Sequence, residues 1–175
     1  MRLETERLIL RPFEPGDARD LHAVHSDPST FEFIGSGPPL TLDETRERIA
    51  RVAAQFEEHG FAMSAVVERS GGRVIGDCGL QMLEGGPDVE VGYRLGAAWR
   101  GRGYATEAAG AWLSYGFETL GLDRIVAVAW PSNIASRRVM EKCGMRLVGP
   151  GTHYGHETVL YEITSPAAAR AAPAG

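Results

Sequence analysis

Apolar residues along the chain change period several times, and each change marks an element. Leu3 to Leu10 starts with mixed polar positions and tightens to Leu8-Ile9-Leu10. This predicts a strand, which Pro12 and then Pro15-Gly16-Asp17 end by removing backbone donors and favouring a turn. Asp17 is placed to cap a helix from Ala18 to Ser26, with Leu21, Val24 and His25 at helical spacing. After the breaker cluster Gly35-Ser36-Gly37-Pro38-Pro39, Thr41-Leu42-Asp43-Glu44 reads as a capping box opening a helix to about Glu58. Ile49, Val52, Ala53 and Phe56 form its apolar stripe. Phe61 to Glu68, Arg73 to Leu83 and Val89 to Leu95 read as strands separated by Ser70-Gly71-Gly72 and Glu84-Gly85-Gly86-Pro87-Asp88, the pattern of an antiparallel meander. Helical spacing returns at Ala105, Ala108, Ala109, Trp112, Leu113, Phe117 and Leu120. A strand through Val126 and a helix through Val139 follow, and this strand, helix, strand order predicts locally parallel pairing in a mixed sheet. Thr158 to Ile163 predicts a last strand.

At 175 residues the chain suits one domain with a sizeable core, and no composition break argues for two. That domain is expected over 1–163. Residues 164–175, an Ala/Pro-rich run, bury little and are expected to be a disordered tail. Lys and Arg number 18 against 23 Asp and Glu, a formal net charge of -5. Neither nucleic acid nor an anionic membrane is therefore an expected partner. Cys78 and Cys143 show no paired spacing, which suits a reducing compartment. With no signal-peptide pattern and no apolar run of membrane-spanning length, a cytoplasmic location is expected.

The strongest local signal is Arg100-Gly101-Arg102-Gly103-Tyr104-Ala105, between a predicted strand and a predicted helix. Glycine admits positive φ and lets backbone N–H groups approach a ligand. The first turn of the following helix adds unpaired N–H donors and the positive end of its dipole, so the segment reads as a pyrophosphate site. The alternative is a glycine turn with two solvated arginines. A Walker loop fails, because Arg102-Gly103 stand where its lysine and hydroxyl residue should follow Gly101. A dinucleotide fingerprint is weak: Thr106 replaces a small residue, and Trp130-Pro131-Ser132 lacks the ribose-binding acid.

A third pattern, Gln/Arg-x-x-Gly-x-Gly/Ala, is met by Arg100, Gly103 and Ala105 and resembles the acetyl-CoA loop of the GCN5-related N-acetyltransferase (GNAT) superfamily. Asn133-Ile134-Ala135-Ser136 and Glu141-Lys142-Cys143-Gly144-Met145 are similar to that family's signature after its fifth strand. Val91-Gly92-Tyr93 and Leu3-Glu4-Thr5-Glu6-Arg7-Leu8-Ile9-Leu10-Arg11-Pro12 resemble the subgroup of ribosomal-protein N-terminal acetyltransferases. The similarity runs from about Leu3 to about Ile163. It implies an α/β (α+β) fold: a mixed, mostly antiparallel sheet of about seven strands, helices on both faces, and splayed fourth and fifth strands.

Amine acetylation needs a base, because a primary amine is largely protonated near neutrality; such a base is worth about two to four decades in rate. Glu90, inside the apolar strand Val89-Glu90-Val91, is the candidate, and the resemblance places an acidic base on this strand. A solvent-facing glutamate is the alternative. The resemblance further implies that Tyr93 and Leu95 offer backbone groups to the pantetheine arm. It assigns Arg100, Gly101, Arg102, Gly103, Tyr104 and Ala105 to the pyrophosphate, and Asn133 to the other side of the arm. Asn133 is equally natural as a helix N-cap. Arg137 or Arg138 could reach the 3′-phosphate of the cosubstrate, with Arg138 the expected contact. Many relatives carry a tyrosine acid seven residues after the Asn, where this chain has Met140. Ser136, one turn after Asn133, is then a candidate proton donor or a small residue packed beside the cofactor.

His22 with His25 and His153 with His156 lack a third ligand, so no metal is expected. The lipase-type Gly-x-Ser-x-Gly is absent. Phe31, Phe33 and Tyr154 flank the expected acceptor cleft. Together these features predict an acetyl-CoA-dependent N-acetyltransferase acting by direct attack on a primary amine in a ternary complex, as a monomer or homodimer. A non-catalytic acyl-CoA-binding sensor is the rival, and a dinucleotide-binding oxidoreductase stands behind it. Acceptor specificity is expected in Phe31 to Glu58 and Gly149 to Glu157.

Overall fold

The computed structural model describes residues 1–33 and 39–171. The breaker cluster lies outside these except for Pro39, as do the last four residues of the tail. The chain forms strands β1 (Leu3–Glu4) and β2 (Leu8–Arg11) and helices α1 (Ala18–His25), α2 (Pro28–Phe31) and α3 (Leu42–His59). Next come β3 (Met63–Glu68), β4 (Val74–Met82), β5 (Val89–Leu95) and α4 (Tyr104–Glu118). The rest is β6 (Arg124–Ala129), α5 (Ile134–Lys142), β7 (Arg146–His153), β8 (His156–Thr164) and α6 (Pro166–Ala171).

One open sheet carries the strands in the order β1-β2-β3-β4-β5-β6-β8-β7. Every neighbouring pair is antiparallel except β5 and β6, which pair in parallel through Glu90 and Val126 alone. The two strands separate beyond that contact, giving the splay expected of the fourth and fifth strands.

The sheet has eight strands rather than about seven. Leu3 to Leu10 is not one strand but β1 and β2, folded back with Leu3 opposite Leu10. Thr5 makes the turn by donating its backbone N–H to the Leu8 carbonyl (3.0 Å) and its hydroxyl to Glu107 of α4 (2.6 Å). β7 escaped the hydrophobic pattern because it is an edge strand with Leu147 and Val148 exposed. It also contains Gly149-Pro150-Gly151, tolerated there because an edge leaves one row of backbone groups unpaired.

Strand alternation divides the core between two helical layers. Cys78, Leu80 and Val91 face α4 and join Trp112, Ala108 and Leu113 in the larger cluster. Trp112 is fully buried and donates its indole N–H to the Ser64 hydroxyl (3.2 Å), satisfying its one polar atom. The opposite face, with Ala65, Val67 and Val74, packs against Leu21 of α1 and Ile49 of α3. Residues 77, 79, 81 of β4 and 90, 92, 94 of β5 point to this second side, because successive strand residues alternate faces.

The Thr41 capping box forms as expected: Glu44 N–H donates to Thr41 Oγ1 (3.2 Å) and Thr41 N–H to Glu44 Oε2 (2.7 Å). Asp17, by contrast, makes no side-chain cap on α1. Its carboxylate is taken by Arg11 in two bonds of 2.7 and 2.8 Å and by the Glu14 N–H. Within the Ala/Pro-rich run, Pro166–Ala171 are helical. Proline suits the first turn and alanine has the highest helix propensity, while Ser165 Oγ accepts from Ala168 N–H (3.0 Å). Among the described residues no helix is long and apolar enough to cross a membrane.

Candidate active site

A cavity of about 570 Å³ opens at the splay, between β5 and β6 and beneath α5. Glu90 stands at its closed end, where β5 and β6 last touch, and is 5% exposed. The solvent-facing alternative therefore falls. Burial pushes its carboxyl above the ordinary carboxylate range, against the opposing effects of hydrogen bonds from Tyr154 and Gln81, the nearby His153 and the Val128 N–H. The Tyr154 hydroxyl donates at 2.6 Å and Gln81 Nε2 at 3.0 Å, both to Oε2. A carboxyl raised in this way is a stronger base than an ordinary carboxylate and better matched to taking a proton.

The glycine loop forms the other end. Gly101 (φ 73°) and Gly103 (φ 83°) are left-handed, a conformation that costs residues with a Cβ. Glu107 N–H makes the first bond of α4 to the Gly103 carbonyl (3.0 Å), which leaves the N–H groups of Tyr104, Ala105 and Thr106 as donors at the helix start. The loop is braced from below. Arg7, held by Glu107 Oε2, donates Nη1 to the Arg102 carbonyl (2.9 Å) and lies 4.5 Å over the Tyr104 ring. A Cβ added at Gly103 would meet Arg7 Nη2 at 3.3 Å.

The two loop arginines part company. Arg102 is exposed, its guanidinium 5.7 Å over the Trp99 ring and available to a phosphate. Arg100 is exposed too, but its guanidinium bonds back onto the protein: Nε donates to the Leu95 carbonyl (2.9 Å), Nη1 to Ser29 and Nη2 to Thr30 Oγ1 (2.9 Å). It ties α2 to the end of β5. Tyr104 also points inward, its hydroxyl on Glu68 (3.1 Å), so its backbone N–H is what it offers a ligand.

Across the splay, Asn133 Oδ1 accepts from Ser136 N–H (3.0 Å), so the N-cap role is present, and both side chains line the cavity. The Tyr93 hydroxyl reaches the Ser136 carbonyl (3.0 Å) and Ser136 Oγ (2.9 Å). Burial holds the Tyr93 phenol protonated, well above its usual range. A phenol thus sits beside Ser136 although position 140 is a buried methionine. Arg137 is committed to Tyr161 (3.3 Å) and to the Pro131 carbonyl (3.1 Å). Arg138 is exposed. Of the flanking aromatics, Phe33 packs edge-on against Trp130 at 6.1 Å and lines the cavity with Tyr154. Among the described residues, no three His, Cys, Asp or Glu side chains converge as a metal site.

Residues 7–146 match the profile of the acetyltransferase (GNAT) domain. The chain belongs to the GNAT acetyltransferase family. It is 32% identical over 149 residues to the uncharacterized N-acetyltransferase YnaD of Bacillus subtilis, covering 85% of each chain. The GNAT-family acetyltransferase of Bacillus anthracis is 30% identical and superposes with a TM-score of 0.81, covering 94% of this chain and 98% of its own. The ribosomal-protein-S5-alanine acetyltransferase of Vibrio fischeri gives the same TM-score over 95% and 97% of the chains, but at 18% identity it shares the fold alone. As a GNAT protein the chain is an acyltransferase, and the finer likeness to ribosomal-protein enzymes does not fix its acceptor.

Two side-chain contacts at the cavity were not readable from sequence. Tyr93 was expected to act through its backbone, yet its side chain spans to α5. Tyr154 was only a flanking aromatic, yet it bonds Glu90 from a hairpin 64 residues further along the chain. A signal for the first existed in the alternation of β5, which turns Tyr93 away from Glu90 and towards α4 and α5.

Proposed function

We propose that the protein acetylates a primary amine with acetyl-CoA by direct attack in a ternary complex, with Glu90 taking the amine proton directly or through one water. The observation that carries the reading is the buried Glu90 carboxyl at the closed end of the splay, in one cavity with Asn133 and Ser136. The residues present suit the cosubstrate. Gly101 and Gly103 keep the loop free of Cβ atoms, the start of α4 supplies N–H donors, and Arg102 supplies charge. When bound, acetyl-CoA supplies the activated acyl group; the protein's part is to hold it between β5 and α5 and to move protons.

Backbone N–H groups of β5 facing the splay polarise the acyl carbonyl, a contribution commonly worth about 3 kcal/mol per donor. Ser136, with the Tyr93 phenol behind it, is the hydroxyl pair that protonates the departing thiolate. A sensor role would require only the loop; a buried, hydrogen-bonded acid in the same cavity favours catalysis.

The test is thiol release from acetyl-CoA with a panel of primary amines. Amine-dependent release supports the reading. Binding of acetyl-CoA, seen as a thermal shift, without release from any amine would instead favour the sensor.

A further inference from the structure

The acceptor side of the cavity carries an imbalance of charge. Arg94, on the face of β5 that also bears Glu90, bonds Asp77 of β4 through Nε to Oδ1 (2.8 Å) and Nη2 to Oδ2 (2.6 Å). Arg48 of α3 reaches the same carboxylate, Nη2 to Oδ2, at 3.2 Å. Asp77 is fully buried, and the His25 ring 3.5 Å from it brings no negative charge. Two guanidiniums therefore share one carboxylate, although the Arg94 and Arg48 side chains are only 13% and 21% exposed. Arg48 Nε is buried with no hydrogen-bond partner among the described residues. Among the described residues neither guanidinium pairs with a second carboxylate, although Glu32 lines the same cavity, and a positive charge largely shielded from water without its own counter-charge is costly.

Both arginines line the cavity that holds Glu90. Glu90 and Arg94 are four residues apart on one strand, about 13 Å between Cα atoms, and share a face. Gly92 lies midway, so the floor between them has no side chain; an added Cβ would stand 3.5 Å from Met63 Sδ. The result is a slot with a carboxyl group at one end and surplus guanidinium at the other.

We propose that the acceptor is an amine that also carries a carboxylate, bound with its amine at Glu90 and its carboxylate at Arg48 and Arg94. This rests on the acetyltransferase reading above. The separation of the two ends favours a carboxylate set off from the amine by a spacer over one on the same carbon. Such a carboxylate belongs either to a small amino acid with a distal amine or to an acidic side chain near a peptide N-terminus. Polycationic amines meet like charge at the arginine end and are disfavoured.

The experiment measures kcat/KM by thiol release for matched pairs: ω-amino carboxylates against their methyl esters, and short peptides with Glu against Gln at the second or third position. The first arm tests the small-molecule source and the second the peptide source. The carboxylate member of at least one arm is expected to win by about tenfold, the size of one charge-assisted hydrogen bond. Arg48→Gln is expected to collapse that ratio and Arg48→Lys to restore part of it. Because the preference is a ratio within one protein, partial loss of folded enzyme does not mimic its collapse. Equal kcat/KM within every pair, or turnover of uncharged members only, overturns the proposal and leaves amine acetylation standing. A ratio unchanged in Arg48→Gln removes Arg48 from it. No thiol release from any amine takes down both readings together.

Discussion

The Tyr154 hydroxyl donates to Glu90 Oε2 at 2.6 Å, joining the tip of the β7–β8 hairpin to the strand beside the splay. The hairpin is held for this contact. Tyr154 N–H donates to Glu84 Oε1 (2.7 Å), and His153 Nδ1 lies 3.2 Å from Glu84 Oε2. Among the described residues, Tyr154 and Glu84 are the two non-glycine residues with positive φ, 54° and 50°. Backbone strain of this kind persists where surrounding contacts over-determine it, and here it aims one phenol at one carboxyl.

Tyr154→Phe is accordingly expected to shift the acid limb of the pH–rate profile to higher pH. The hydroxyl stabilises ionised Glu90 and opposes the effect of burial, so its loss leaves the carboxyl higher still and less of it ionised at a given pH. A profile of kcat/KM against pH checks this; an unmoved acid limb would mean that Tyr154 does not act on the titrating group.

Gly103→Val is expected to abolish acetyl-CoA binding while costing the fold about 1–2 kcal/mol, the strain of a left-handed residue with a Cβ. The added carbon also crowds Arg7, the brace beneath the loop. Calorimetric titration with acetyl-CoA and a denaturant melt measure the two effects separately. Retained affinity would place the phosphates elsewhere.

Much of this arrangement was legible before the structure because it depends on local chemistry. Glycines that need positive φ, the Thr41 capping box, the Asn133 cap and the apolar strand around Glu90 all follow from neighbouring residues. What could not be read depends on contacts distant in sequence. Arg100, expected as a phosphate ligand, also bonds Ser29 and Thr30, 71 and 70 residues away, and no neighbouring residue announces those contacts. Asp77 looked like one polar residue in a strand, and its buried position between Arg94 and Arg48 emerges only when β5 and α3 converge on it. β7 was hidden because a solvated edge strand with two glycines and a proline carries little hydrophobic alternation.

Tyr93→Phe is expected to lower kcat by about tenfold and to leave acetyl-CoA affinity within about threefold, since it removes a hydroxyl from the proton-donor pair and no phosphate contact. The defect should shrink as pH rises. A thiol with a cysteine-like pKa of about 8.5 leaves increasingly well as the thiolate once the medium is more basic, so protonation then matters less. A defect independent of pH, or one confined to KM, would restrict Tyr93 to positioning α5.

The most direct test of the account is Glu90→Gln. The amide keeps the volume of the side chain and an oxygen that accepts from Tyr154 and Gln81, but it cannot take a proton. Turnover measured by thiol release near neutral pH is expected to fall by about two to three decades, with acetyl-CoA affinity nearly unchanged and the defect shrinking at higher pH as more acceptor is already neutral. Wild-type turnover in this variant, with acetyl-CoA bound as tightly as before, would contradict the assignment of Glu90 as the base.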